Sequence, residues 1–217
     1  MGSTATTTRA LTASVPFRSG PTRRLGYHRS REALTTAVKE DRELVAAWRG
    51  GDRQAGEQLF GRHFHAISRF FRNKAGDDTE ELIQRTFLAC VEAKERLRDG
   101  GAFRTYLLQV ARSKLYKHYA AQRHVIDLDA MSVSIAELSA SPSAVIAKGQ
   151  QDRALLDALR HLPLELQVVL ELHYWEGMGT AELGELLELP QGTVKTRLMR
   201  ARDRLREALS RTAATEI

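Results

Sequence analysis

Lys195, Thr196, Met199 and Arg200 lie in the run GTVKTRLMRARDRLREAL, Gly192 to Leu209, at spacings that put all four in the first two turns of one accessible helix side. Their side chains can hydrogen-bond to, or pack against, base edges in a DNA major groove, which is recognition chemistry with no covalent step. Behind them Val194, Leu198, Ala201, Leu205 and Leu209 form an apolar stripe that must bury against a partner helix. A DNA-reading helix needs that division, because its back is held while its N-terminal residues reach the bases. Arg197, Arg202, Arg204 and Arg206 flank the stripe or lie further along, and read as phosphate contacts or solvated charge.

The partner helix is legible just upstream. From Thr180 to Leu189, Ala181, Leu183, Leu186 and Leu187 recur at helical spacing, with Glu182, Glu185 and Glu188 between them. Pro190 stops that helix and suits the start of the next, where its missing N–H would be unpaired anyway. Two helices around such a turn make a helix-turn-helix.

A second basic element precedes it. The stretch GGAFRTYLLQVARSKLYKHYAAQRH interleaves Phe103, Tyr106, Tyr116 and Tyr119 with Arg104, Arg112, Lys114, Lys117, His118 and Arg123. Aromatics among cations are what unpaired DNA strands stack and pair on. Leu108, Ala111, Leu115 and Tyr119 share one helical face, however, and read as core.

Elements that position these residues are helical throughout. Asp41 to His124 is expected to hold a short helix over Arg42 to Trp48, then Gly50 and Gly51 as a stop with Asp52 as the next cap. A helix over 53–73 follows, with Ala55, Leu59, Phe60, Phe64, Ile67 and Phe71 on one side. Asp78 and Glu81 resemble a capping box before the helix carrying Leu82, Ile83, Phe87, Leu88 and Val91. The last helix of this half spans roughly Ala102 to Gln122. No run shows sustained strand alternation, so the fold class expected is all-α: two small helical domains, a flexible linker and a disordered N-terminal tail. The boundaries expected are 1–38 for the tail, 39–124 for the first domain, 125–147 for the linker, 148–211 for the second domain in four helices, and 212–217 for a short tail.

The chain has 217 residues and a formal charge of +6. Residues 1–31 hold Arg9, Arg18, Arg23, Arg24, Arg29 and Arg31 without an acid, so the remaining body is formally neutral and its two basic elements are local. Cys90 is the single cysteine, which excludes an internal disulfide, and it falls beside Ile83, Phe87 and Val91 as a buried structural thiol in a reducing, cytosolic setting. No apolar run is long enough to span a bilayer, so no membrane insertion is expected. His63 and His65 are two apart, pointing different ways on a helix, and no cysteine or carboxylate cluster completes a metal site. No catalytic constellation, metal or cofactor is expected. A serine recombinase would need a mixed α/β half, and a conventional repressor would act as a dimer on palindromic sites.

Longer motifs add to this. LP-x-x-x-Q-x-V-L-x-L runs from Leu162 to Leu172, EGM-x-x-AELGELL from Glu176 to Leu187, LVAAWRGGDRQAGEQLF from Leu44 to Phe60, TEELIQRTFLAC from Thr79 to Cys90, and FRTYLLQVARSKLYKHY from Phe103 to Tyr119. With these motifs, Asp41 to Leu209 resembles the extracytoplasmic-function group of the sigma-70 family, the specificity subunits of bacterial RNA polymerase. The resemblance implies region 2 in the first domain and region 4 in the second. It assigns Glu80, Glu81, Leu82, Gln84 and Phe87 to docking on the β′ clamp helices of core polymerase, and region 4 to the β flap. The loop from Leu97 to Gly101, with Arg98 and Asp99, matches one that captures a flipped −10 base, a step that costs a few kcal/mol of unstacking. Arg104, Arg112, Lys114 and Lys117 match the segment that grips the −10 edge and the opening strand. Lys195, Thr196, Arg197, Met199, Arg200 and Arg204 are assigned to the −35 element. An anti-sigma protein is the further partner implied; no sensor domain is expected after Leu209, so control is expected from another polypeptide or the tail. Arg85 replaces a usual acid, Tyr106 a usual Trp, Ser113 a usual Asn and Gly179 a usual Ser, with Thr180 able to cap.

Overall fold

The computed structural model describes residues 31–97, 102–123, 134–138 and 150–215. It is all-α: α1 Arg31–Arg49, α2 Arg53–Arg72, α3 Thr79–Glu92 and α4 Phe103–Arg123 form the first domain, and α6 Gln150–Arg160, α7 Leu164–Tyr174, α8 Thr180–Leu187 and α9 Gln191–Thr215 the second. Between them lies a single turn of helix, α5 Ile135–Leu138. Among the described residues no helix is long and apolar enough to cross a membrane.

Helix α1 begins at Arg31, eleven residues before the expected Arg42 and inside the segment expected to be tail. Neither Gly nor Pro occurs between Arg31 and Arg49, so a helix nucleated where Val45 and Trp48 bury can propagate backward at one hydrogen bond per residue fixed. Its stop is the expected one: Gly51 adopts φ +104°, and Asp52 caps α2 by accepting hydrogen bonds from Gln54 N and Ala55 N at 2.8 and 3.1 Å. The Asp78 capping box does not form. A 3-10 turn over Gly76–Asp78 leaves Asp78 at ψ 4° instead of the extended backbone a cap requires, and Thr79 Oγ1 donates back to Gly76 O at 2.7 Å instead.

Phe60 is the hub of the first domain. Its ring lies 5.1 Å from Trp48 of α1, 5.2 Å from Phe87 of α3 and 6.3 Å from Phe103 of α4, so one side chain ties four helices. Trp48 packs against Gly56, where a Cβ would meet its ring at 2.5 Å, so α1 and α2 approach as closely as they do because position 56 lacks a side chain. Beneath the rings, Leu59, Ile67, Phe71, Leu82, Leu107, Leu108, Ala111 and Leu115 complete the core. Each fully buried side chain of this size contributes about 1.5–3 kcal/mol.

The second domain is built around α7, which is apolar on nearly every side and therefore central. Leu164, Val168, Val169 and Leu172 pack with Leu183, Leu186, Val194, Leu198 and Ala201. The stripe read from the sequence is the buried side of α9, with Leu205 and Leu209 half-buried at its end. The segment expected to be linker is not wholly free of structure: Ile135 is 1% exposed in the core and Ser134 bridges to Pro163, because an isoleucine among polar residues gains more by burial than by staying in water.

Cys90 is fully buried, and burial pushes its thiol up to about 12; Tyr119 is likewise pushed up to about 12 by burial. A folded-state pKa above the unfolded one means stability that is whole below the unfolded value and lost as pH rises through the folded one. Cys90 is therefore expected to resist a thiol-reactive probe at pH 8 until the chain unfolds. Urea midpoints are expected to fall as pH climbs from roughly 9 toward 12. Rapid labelling of native protein at pH 8 is the contrary result.

Candidate nucleic-acid interface

The N-terminal half of α9 presents the residues expected to read bases. Lys195, Thr196, Met199 and Arg200 are all exposed, Met199 at 55%. Neither Lys195 nor Arg200 makes an ion pair among the described residues, so both cations are available to a ligand. Thr196 Oγ1 donates to Gly192 O at 3.1 Å, which fixes its rotamer. The other arginines have partners. Arg197 pairs with Glu165 of α7 at 2.9 Å, a half-buried strut that fixes the helix against its neighbour. Arg202 Nε donates to Tyr174 Oη at 2.9 Å. Arg204 and Arg206 make exposed pairs with Glu207 at 3.7 Å and Asp203 at 2.5 Å, which add little and exchange easily with phosphate. A groove lined by Pro163, Glu165, Thr193, Thr196, Arg197 and Arg200 runs along this face.

What aims α9 is the turn before it. Helix α8 ends on Glu188 in the left-handed region, φ 57° and ψ 44°, and Leu189 N returns to Gly184 O at 2.9 Å, a Schellman-type ending. A Cβ on Gly184 would stand 2.9 Å from Leu189 O, so the chain folds over a bare α-carbon. Gln191 Nε2 then donates to Thr180 Oγ1 at 2.8 Å, fastening the starts of α8 and α9. Thr180 is thus not the cap of α8. Gly179 holds that position, and the Glu182 carboxylate reaches back to the Gly179 N–H while burial holds its pKa above the usual range.

The second basic element has a different outcome. On α4, Phe103 and Tyr119 are buried and Tyr106 and Tyr116 half-buried, so these rings are structural where they stand. Tyr119 Oη donates to Lys74 O. Lys117 is exposed and Lys114 half-buried. Arg104 is only 18% exposed, because its guanidinium donates to Glu176 O at 2.5 Å and Glu176 Oε2 at 3.0 Å and lies 3.8 Å from Glu182. Arg112 stacks over Tyr116 at 4.7 Å with its Nε buried. Leu97 is buried, its carbonyl accepting from Arg49 Nη1 at 3.0 Å, so its side chain serves the core; Arg98 and Asp99 lie outside the described residues.

That arrangement follows from a seam between the two domains that sequence reasoning missed. Lys74 donates to Glu171 and to Phe70 O, with Gln167 Nε2 on the other Glu171 oxygen at 2.7 Å. The Lys74 and Glu171 side chains are 0% and 3% exposed. Burial pushes the Lys74 ammonium down from its ordinary value, and Glu171 pulls it back up. Beside them, Arg69 Nε and Nη2 donate to Glu176 Oε1 at 3.0 and 2.5 Å. One signal was available: Gln167 and Glu171 stand at i and i+4 among the apolar positions of α7, which marks a polar seat for a partner.

The residues expected to face polymerase divide. Glu80, Glu81 and Gln84 are exposed and Phe87 half-buried, whereas Leu82 is buried and supports the surface from beneath. Arg85 pairs with Glu81 one turn earlier at 2.5 Å. Phe64, 53% exposed, stacks on Phe87 at 6.2 Å, and with exposed Leu88 and Val91 it extends that face in an apolar direction.

Comparison with known proteins gives a consistent result. The family model "Sigma-70 region 2" matches residues 59–125 and "Sigma-70, region 4" matches 152–205. The RNA polymerase sigma factor CarQ of Myxococcus xanthus is 29% identical over 164 residues, 75% of this chain and 93% of that protein. The ECF RNA polymerase sigma-E factor of Haemophilus influenzae is 24% identical over 173 residues, 75% and 92% of the two chains. Among solved structures, CnrH in complex with the cytosolic domain of CnrY superposes with TM-score 0.60 at 25% identity, covering 79% of this chain and 97% of that one. RpoE of Bartonella quintana, in complex with the anti-sigma factor NepR, shares the fold at TM-score 0.58 and 21% identity, covering 71% and 96%.

Replacing Gly184 with Ala is expected to lower stability by about 1–3 kcal/mol, because the added methyl meets backbone that cannot swing away. Denaturant unfolding with matched duplex binding checks this; unchanged stability would show that the turn has slack.

Proposed function

Since this chain belongs to the extracytoplasmic-function group of the sigma-70 family, which directs RNA polymerase to promoters, we propose that it is a dissociable initiation factor that binds core polymerase, recognises a two-part promoter and helps open its −10 region. The observation that carries this reading is the outer face of α9: unpaired Lys195 and Arg200 with exposed Thr196 and Met199, aimed by a rigid turn. That face suits the −35 major groove, with Arg204 toward phosphate and Arg197, held by Glu165, at its edge. The exposed Glu80, Glu81 and Gln84 with the Phe87 ring suit the clamp helices of β′, and the second domain the β flap. Helix α4 would grip the −10 strand through Arg104, Arg112, Lys114 and Lys117, the loop from Leu97 to Gly101 taking the flipped base. The work is done by binding energy, with no cofactor and no covalent chemistry, in the bacterial cytoplasm. An anti-sigma protein is the inhibitor proposed, by likeness to relatives solved with one.

Run-off transcription with purified core polymerase across a promoter library tests the whole reading. Promoter-dependent product is expected; no product together with no core binding would overturn it. Within region 4, Arg200→Ala is expected to cost about 1–3 kcal/mol of −35 affinity and to relax sequence preference. Arg204→Ala is expected to weaken all sequences alike and to flatten the salt dependence. Duplex titrations at several salt concentrations separate the two, and identical behaviour of both variants would refute the division between base reader and phosphate contact.

A further inference from the structure

We propose that Arg49 is a positioning residue for −10 recognition: its guanidinium holds the Leu97 carbonyl, where the base-capturing loop begins, and so sets that loop's base preference through Leu97 rather than by touching DNA. The inference rests on the reading of the loop from Leu97 to Gly101 as the one that takes the flipped −10 base. It adds α1, most of which precedes the matched region 2 at residues 59–125, to the parts that decide the promoter.

Both ends of the loop are tied to the same pair of helices. At its exit, Phe103 opens α4 and is 1% exposed, with its ring 6.3 Å from Phe60 and 5.5 Å from His63, both of α2. At its entry, Arg49 Nη1 in the last turn of α1 donates to Leu97 O at 3.0 Å, and Leu97 itself is 7% exposed. One residue earlier on α1, the Trp48 ring has the Lys94 ammonium 5.6 Å from its centre and meets Phe60 at 5.1 Å. Lys94 begins the 3-10 turn Lys94–Arg96 that leads into Leu97, so its contact steadies the same entry. Through Trp48 and Phe60 the two anchorages share one support.

They differ in kind. Phe103 is set by apolar packing, and a smaller side chain there would open the core. The entry rests on a hydrogen bond from a side chain that is itself exposed, and no ion pair among the described residues draws Arg49 elsewhere. A guanidinium on a carbonyl is a directional, charge-assisted contact, stronger than a neutral one. Only residues 98–102 separate Leu97 from Phe103, and at about 3.3–3.6 Å of reach per residue a connection this short follows its ends. Recognition of a base requires its contacts to be held within about 0.5 Å. Releasing the Leu97 carbonyl therefore alters which base fits, while the buried rings keep the domain folded.

The test uses the full chain with core polymerase and forked promoter DNA, its −35 part double-stranded and its −10 non-template strand single and changed one base at a time. Arg49→Ala is expected to reduce discrimination at one −10 position about three- to tenfold, with −35 duplex affinity, core binding and the unfolding midpoint close to those of the unsubstituted chain. Arg49→Lys, which keeps a charged donor, is expected to recover part of the preference, and Arg49→Gln less of it. Unchanged discrimination in Arg49→Ala overturns the proposal. So does an equal loss across the −35 duplex, core binding and every −10 position, because that is the mark of a merely structural contact. An unsubstituted chain that binds core and the −35 duplex but prefers no base at any −10 position refutes the reading of the loop itself, and the positioning role with it.

Discussion

A lysine ammonium with no exposed surface has to be answered by an anion, or the fold cannot keep it. Taking either ion of the Lys74–Glu171 pair out of water costs several kcal/mol, and only their mutual attraction with further hydrogen bonds offsets it. Phe70 O and Gln167 Nε2 supply those bonds, and the Phe70 ring lies under the ammonium at 4.5 Å. Since Lys74 lies just past the end of the second helix and Glu171 in the last turn of the seventh, satisfying this one pair fixes how the domains meet.

Much of the architecture is arranged around that requirement. Helix α7 is central to its domain yet carries Gln167 and Glu171 on one side, so its apolar faces hold α8 and α9 while its polar side meets α2. In the first domain the Phe60 hub and the buried Asp41–His63 contact at 2.8 Å keep α1 and α2 in register. A rigid α2 and the turn that ends it deliver Arg69 and Lys74 to the same seam. Flexible elements would leave the ions unpaired for part of the time, at the full desolvation cost.

The same interaction separates the functional faces. What lies away from the seam keeps its side chains available, and on the outer side of α9 Lys195 and Arg200 make no ion pair among the described residues. What lies on the seam is spoken for. Helix α4 carries Arg104, whose guanidinium is held by Glu176 of the loop before α8 and approached by Glu182 of α8. Recognition capacity and access to it are different properties of one chain, and here they sit on different helices.

The sequence by itself determined the helices apart from the start of α1 and the turn α5, the Asp52 cap, the stop at Gly51, the turn into α9 and the side of α9 that faces out, because periodicity, capping and turn chemistry act over a few residues. It placed the cations of α4 too, though not their partners. Tertiary structure alone decided that Lys74 meets Glu171 across 97 residues, Arg69 meets Glu176 across 107, and Arg104 meets the same glutamate across 72. It also decided that Asp78 does not cap, since the preceding 3-10 turn set its backbone, and that Ile135 anchors a stretch which composition alone reads as linker. Contacts between ions distant in sequence depend on how whole helices are brought together, and no local pattern encodes which of the chain's many acids will be near a given base.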